Sequence, residues 1–194
     1  MAEQKNPVIP QKSDPEKQKK QQRILIVLLI LIAAAAVMIL YNNGVIGGSA
    51  SKKPVEQYLA AIASGDFESY VSSMPERIAR GYKDDLEASG LDGRAYMRKL
   101  YSDYVSEFGD DMTVSLEFTD RSRVDAIYLN DYKISYSQLY GEEIDISSAF
   151  ELDVTAAFSG SVSSDEIELE CFVVKTGGKW YIVGCDYKSD NAEE

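Results

Sequence analysis

Residues 24–40 read ILIVLLILIAAAAVMIL, with no charged and no strongly polar side chain, and Tyr41 closes the run. As a helix rising about 1.5 Å per residue, Ile24 to Tyr41 would extend roughly 27 Å, close to the thickness of a hydrocarbon core. A helix satisfies its own backbone groups, so a lone apolar run of this length can cross lipid. A buried helix of a soluble domain would show a polar stripe, and this run shows none. The sequence therefore predicts a transmembrane helix over 24–41, with the membrane as one partner of the chain.

The flanks predict its orientation. Lys17, Lys19, Lys20 and Arg23 stand directly before the run, and no charge follows it until Lys52. Basic residues stay in the cytoplasm, so the expected arrangement is a single pass at the cell membrane, N-terminus inside and the C-terminal part extracytoplasmic. Gly48-Ser49-Ala50 offers a small-residue cleavage site, the alternative being a cleaved signal peptide. The long basic region and long apolar run favour an uncleaved signal anchor, and no cysteine follows the run to carry a lipid.

Composition narrows what the C-terminal part can do. The chain has 20 basic and 32 acidic residues. Residues 1–23 hold six of the basic and three of the acidic ones, which leaves 14 against 29 and a net charge of -15 beyond them. Such a part repels nucleic acid and anionic headgroups, so nucleic acid is not an expected partner. Histidine is absent, which removes the commonest general base, zinc ligand and pH switch. Thirteen Tyr and six Phe supply the large apolar surface that a core needs.

Along the chain, residues 1–23 are polar and Pro-containing and read as a disordered basic cytoplasmic tail. Residues 42–53, NNGVIGGSASKK, read as a linker. Pro54 fits the first position of a helix whose buried face is Val55, Tyr58, Leu59 and Ile62. Ser64-Gly65 stops it and Asp66 caps the next, with Phe67, Tyr70, Val71 and Met74. A third segment runs from Pro75 to Ala88 with Ile78, Tyr82 and Leu86. Asp92 caps a fourth helix, Gly93 to Phe108, with Met97, Leu100, Tyr101, Tyr104 and Phe108 on one stripe. Met112 to Thr119 alternates as a half-buried strand. Residues 124–140 suit a helix better than a strand. Phe150 to Phe158, Glu166 to Lys175 and Trp180 to Asp186 read as three more strands, the last two joined at Gly177-Gly178. Helices followed by mostly antiparallel strands predict an α+β domain over 54–187. Residues 188–194 form a polar tail.

The run PVEQYLAAIASGDFESYVSSMP resembles the opening helices of the nuclear-transport-factor-2-like (cystatin-like) superfamily, and ECFVVKTGGKWYIVG resembles its closing hairpin. The likeness is to its membrane-anchored Gram-positive members. It implies a curved, mostly antiparallel sheet wrapped on helices as a cone with a cavity, and a place in a bacterial envelope. Both motifs are structural, so no functional residue is carried over, and the fold alone selects no activity.

Candidate chemistries are few. A two-residue turn at Gly177-Gly178 pairs Val173 with Ile182 and sets Cys171 opposite Gly184, leaving two thiols on different faces. A one-residue bulge would set Cys171 opposite Cys185, within bridging reach. The apolar alternation favours the first register, and the second stays open. Without histidine a catalytic thiol has no activating base. The acidic pairs Asp84-Asp85, Asp110-Asp111 and Glu142-Glu143 with Asp145 lack calcium-loop spacing. An isomerase-like site, an Asp base with a Tyr or Asp donor, is known on this fold, but the sequence places no such pair in a cavity. Tyr96, Tyr101 and Tyr104 form either an interface or a core face. No catalytic, cofactor-binding or metal-ligating residue is assigned, and no cofactor is implied. The expected role is a non-enzymatic binding or assembly domain, its partner a protein or a second copy, its small ligand unknown. The alternatives are a scaffold subunit of a secretion or conjugation machine and a small-molecule enzyme.

Overall fold

A computed structural model describes residues 48–188. Six helices and four strands follow in the order α1 (Gly48–Ser64), α2 (Phe67–Ser72), α3 (Glu76–Ser89), α4 (Gly93–Leu100), α5 (Ser102–Phe108), β1 (Thr113–Arg123), α6 (Ala126–Tyr140), β2 (Ser148–Ser159), β3 (Ser164–Thr176) and β4 (Lys179–Tyr187). The strands form one antiparallel meander, β1-β2-β3-β4.

Local chemistry sets the helix ends. Gly65 takes φ 74°, a left-handed conformation that ends α1, and its N–H bonds to the Ala61 carbonyl at 2.9 Å. Asp66 then accepts from the Ser69 N–H at 3.2 Å and its hydroxyl at 2.6 Å, capping α2. Asp92 caps α4 by accepting from the Ala95 N–H at 2.8 Å, and Asp125 caps α6 through the Ile127 N–H at 2.7 Å.

The two faces of the sheet are covered differently. Val55, Leu59, Tyr70, Val71, Ala79, Met97 and Phe108 from the first five helices meet Leu152, Val154, Ala156, Phe158, Cys171, Val173 and Ile182 in the main core. A smaller cluster on the other face joins Val124, Ile146, Ala149 and Val174, with Leu129, Tyr132, Phe172 and Val183 against them. Alternation along β3 separates Cys171 and Val173 from Phe172 and Val174. The turn between β2 and β3 docks on the end of α5. Ser163 donates to the Glu107 carbonyl at 2.6 Å and Val162 N–H to that of Phe108 at 3.1 Å. Gly160 permits that approach, since a Cβ there would run into the Phe108 carbonyl oxygen.

Several expectations are corrected. The α+β composition is observed, but the expected fold class included a transmembrane helix. Among the described residues, no helix is long and apolar enough to cross a membrane. The longest, α1, carries Lys53, Glu56 and Gln57 on its exposed side. The expected span Ile24 to Tyr41 and the tail 1–23 lie outside the described residues. Residues 48–53 are helix rather than linker, and Pro54 lies inside α1. Packing decides this: Ser51 is fully buried and Lys52 Nζ sits 4.6 Å from the centre of the Phe118 ring.

The expected helix 93–108 is two helices broken at Tyr101, where φ is -112° and ψ 40°. Tyr101 turns inward to a hydroxyl cluster, and Leu100 is left exposed. β1 runs on to Arg123 through a bulge between Phe118 and Asp120. A second irregularity between Phe172 and Val173 changes the last register from Val173–Ile182 to Cys171–Cys185. The two cysteines, Cα atoms 4.1 Å apart, form a disulfide, against the favoured reading of free thiols. The cause is the extra residue on β4, which brings both cysteines to one face.

Candidate functional site

The expected cavity beneath the sheet is represented by a recess of about 140 Å³ among Tyr58, Met74, Ile78, Tyr82, Ile182, Val183 and Gly184. One lining residue, Tyr58, belongs to a cluster of hydroxyl-bonded tyrosines. Tyr101 donates to Tyr70 at 2.8 Å, and Tyr58 lies 3.0 Å from Tyr101. Tyr101 has one proton and gives it to Tyr70, so Tyr58 is the donor to Tyr101. The Tyr58 ring stacks on Tyr70 at 5.1 Å, and Tyr82 meets Tyr70 edge-on at 5.2 Å. Burial, the largest cause, raises the pKa of Tyr58, Tyr70 and Tyr101 above the usual phenol value. All three therefore stay protonated, and none serves as a base near neutral pH. No carboxylate lines the recess. Tyr101 and Tyr104 are half-buried and pack against the core, Tyr104 on Phe158 at 5.1 Å, and Tyr96 lies edge-on to Phe67 at 5.5 Å. Nothing positive among the described residues indicates an enzyme.

The acidic pairs read from the sequence do not converge. Asp110 is held by Arg94 at 2.9 Å and Arg98 at 2.6 Å, and Asp111 accepts from the Ser161 N–H at 3.0 Å. That bond holds the Asp111 carboxyl below the usual carboxylate range. Glu142 lies 3.8 Å from Arg77, and Asp84 and Asp85 are exposed on α3.

Strand register assembles a different acidic feature. Asp120 pairs with Asp153, Asp153 with Glu170, and Glu170 with Asp186, so four carboxylates stand in one cross-strand row. Paired residues share a face. Glu170 follows Phe172 and Val174 by alternation, so the row lies on the α6 side of the sheet. Glu168 and Glu151 flank it along β3 and β2. Like charges placed directly opposite destabilise a sheet. Partial burial raises the pKa of Glu170, and Glu151 and Asp153 raise it further. Lys188 reaches Asp153 at 2.6 Å, and its ammonium pKa rises through that hydrogen bond. Strands stand about 4.8 Å apart, which spreads the carboxylates along the sheet instead of gathering them at a point. Among the described residues no group of three or more His, Cys, Asp or Glu is placed to hold a metal ion.

Beside the row stands α6. Its inner side buries Tyr136 and packs Tyr132 edge-on against Phe172 at 5.3 Å. Ile127 and Ile134 on its outer side are 71% and 48% exposed, and Tyr128 and Leu139 on one flank are 71% and 77% exposed. A groove of about 810 Å³ runs along it, lined by Lys133, Ile134, Ser137, Gln138, Glu143, Ile144 and Asp145. A helix apolar on both sides is usually buried on both, and here one side has no cover among the described residues.

The sequence reading missed this surface. The alternation of Glu166, Glu168 and Glu170 with Ile167 and Leu169 was the available signal, but the four carboxylates come from four strands.

No protein-family model matches the chain, and no curated protein matches it. A solved structure, that of Bdellovibrio bacteriovorus Bd1075, is similar at 11% identity and a TM-score of 0.36, over 72% of this chain and 40% of that one. The chain thus spans less than half the length of that protein, and so low a score carries no argument about fold or function.

Proposed function

We propose that residues 48–188 form a non-enzymatic binding or assembly domain that works outside the cytoplasm, at the cell membrane of a bacterial envelope, and engages another protein. The observation that carries this reading is the set of large apolar side chains that α6 exposes, Ile127, Tyr128, Ile134 and Leu139. Isolated exposed apolar residues are ordinary, but a cluster on one helix marks an interaction surface. The Cys171–Cys185 disulfide supports an oxidising compartment. The location at the membrane rests on sequence outside the described residues. Membership of the nuclear-transport-factor-2-like superfamily is likewise proposed, on the two sequence runs that resemble it.

Site-specific cross-linking in the native cells tests the reading. A photoreactive residue at Leu139 or Tyr128 is expected to join the chain to one defined protein, while the same residue at Asp84 on α3 does not. Equal labelling from all three positions, or none from α6, overturns it. Labelling of the domain by a membrane-impermeant reagent on intact cells tests the compartment, and protection until lysis refutes it.

A further inference from the structure

We infer that the acidic sheet face and the apolar side chains that α6 exposes form one docking surface for a basic, apolar segment of a partner protein. This rests on the binding-domain reading above and deepens it by naming the chemistry of the partner. The two features adjoin. Phe172, which packs under α6, lies two residues from Glu170 along β3, about 7 Å away. The row of Asp120, Asp153, Glu170 and Asp186 crosses all four strands, and Lys188 is bonded to Asp153 within it. A face that holds four carboxylates side by side is short of positive charge, and a Lys- or Arg-bearing segment supplies it. The same segment needs apolar side chains to cover the flank of α6 that exposes Tyr128 and Leu139.

Charge excludes the other occupants. A second copy would bring one acidic row against another, and each copy carries -15 beyond residue 23. An anionic membrane is repelled for the same reason. The spread of the row disfavours a metal ion.

Fluorescence anisotropy with the purified full-length chain at physiological salt tests the inference. The probes are a peptide alternating Lys with Leu, one alternating Lys with Ser, and one alternating Glu with Leu. The Lys/Leu peptide is expected to bind at least tenfold tighter than either of the others. The triple variant Asp120→Asn, Glu170→Gln, Asp186→Asn is expected to weaken it at least tenfold, and Leu139→Ser at least threefold. The triple variant leaves the Asp153–Lys188 pair in place and relieves repulsion, so an unchanged or raised Tm accompanies the loss. Equal binding of the Lys/Ser peptide, or undiminished binding to the triple variant, overturns the inference. So does a dimer that Leu139→Ser dissolves, calcium binding that the triple variant abolishes, or binding to anionic vesicles through α6. If the peptides fail while position 139 still cross-links to a defined protein, the partner chemistry is wrong and the binding-domain reading stands. If both fail, both fall.

Discussion

At the scale of single residues, two groups report on how the fold handles polar atoms. Glu170 has a raised pKa, caused first by burial and then by Glu151 and Asp153. A carboxyl whose folded pKa exceeds its unfolded value favours the fold while protonated. That contribution is full below the unfolded pKa and is lost as pH rises through the folded one. Glu170→Gln should therefore raise the Tm at pH 7 and leave it nearly unchanged at pH 3.5, as thermal melts at the two pH values would show. The second group is Tyr70, which accepts the proton of Tyr101. Tyr70→Phe leaves that buried hydroxyl without its acceptor, so denaturant unfolding should show a loss of about 1–3 kcal/mol.

Between elements, the decisive features are interruptions. The extra residue on β4 near the Phe172/Val173 irregularity moves Cys185 opposite Cys171 and makes a disulfide available where an uninterrupted hairpin would not. The bridge closes a loop with a separation of 14 residues, for which chain entropy gives about 3 kcal/mol. Replacing both cysteines by serine should lower the unfolding free energy by about that amount, and a reductant should have no effect on the doubly substituted chain. The break at Tyr101 is the helical counterpart. It costs one continuous helix its geometry and places a tyrosine hydroxyl beside those of Tyr58 and Tyr70. The bulge after Phe118 completes the set, because it brings Asp120 rather than Thr119 opposite Asp153 and so completes the acidic row.

For the whole molecule, charge is the governing quantity. The chain beyond residue 23 carries -15, and the row on the sheet concentrates part of that charge on one face. Self-repulsion of exposed charges falls with ionic strength, since the Debye length shrinks from about 30 Å at 0.01 M to about 10 Å at 0.1 M. The Tm should therefore rise as sodium chloride goes from 10 to 150 mM. A Tm that falls would mean that attractive pairs such as Lys188–Asp153 outweigh the repulsion.

The sequence by itself determined the local order of this protein. Asp66, Asp92 and Gly65 mark helix ends through side-chain and backbone chemistry within four residues. The alternations at 112–118, 150–158 and 166–175 mark strands through the two-residue period. The helix over 124–140 was legible in its apolar spacing, although Val124 itself lies just before it. What needed contacts between distant segments was decided only by the tertiary structure: the helix before Pro54, the break at Tyr101, the disulfide, the exposure of Leu100 and the split of helices between two sheet faces. The candidate surface belongs to this second class. Each of its four carboxylates is an ordinary strand residue in sequence, and only a register that includes a bulge on β1 sets them in one row beside α6. Period and capping act over a few residues, whereas register and burial depend on which segments meet.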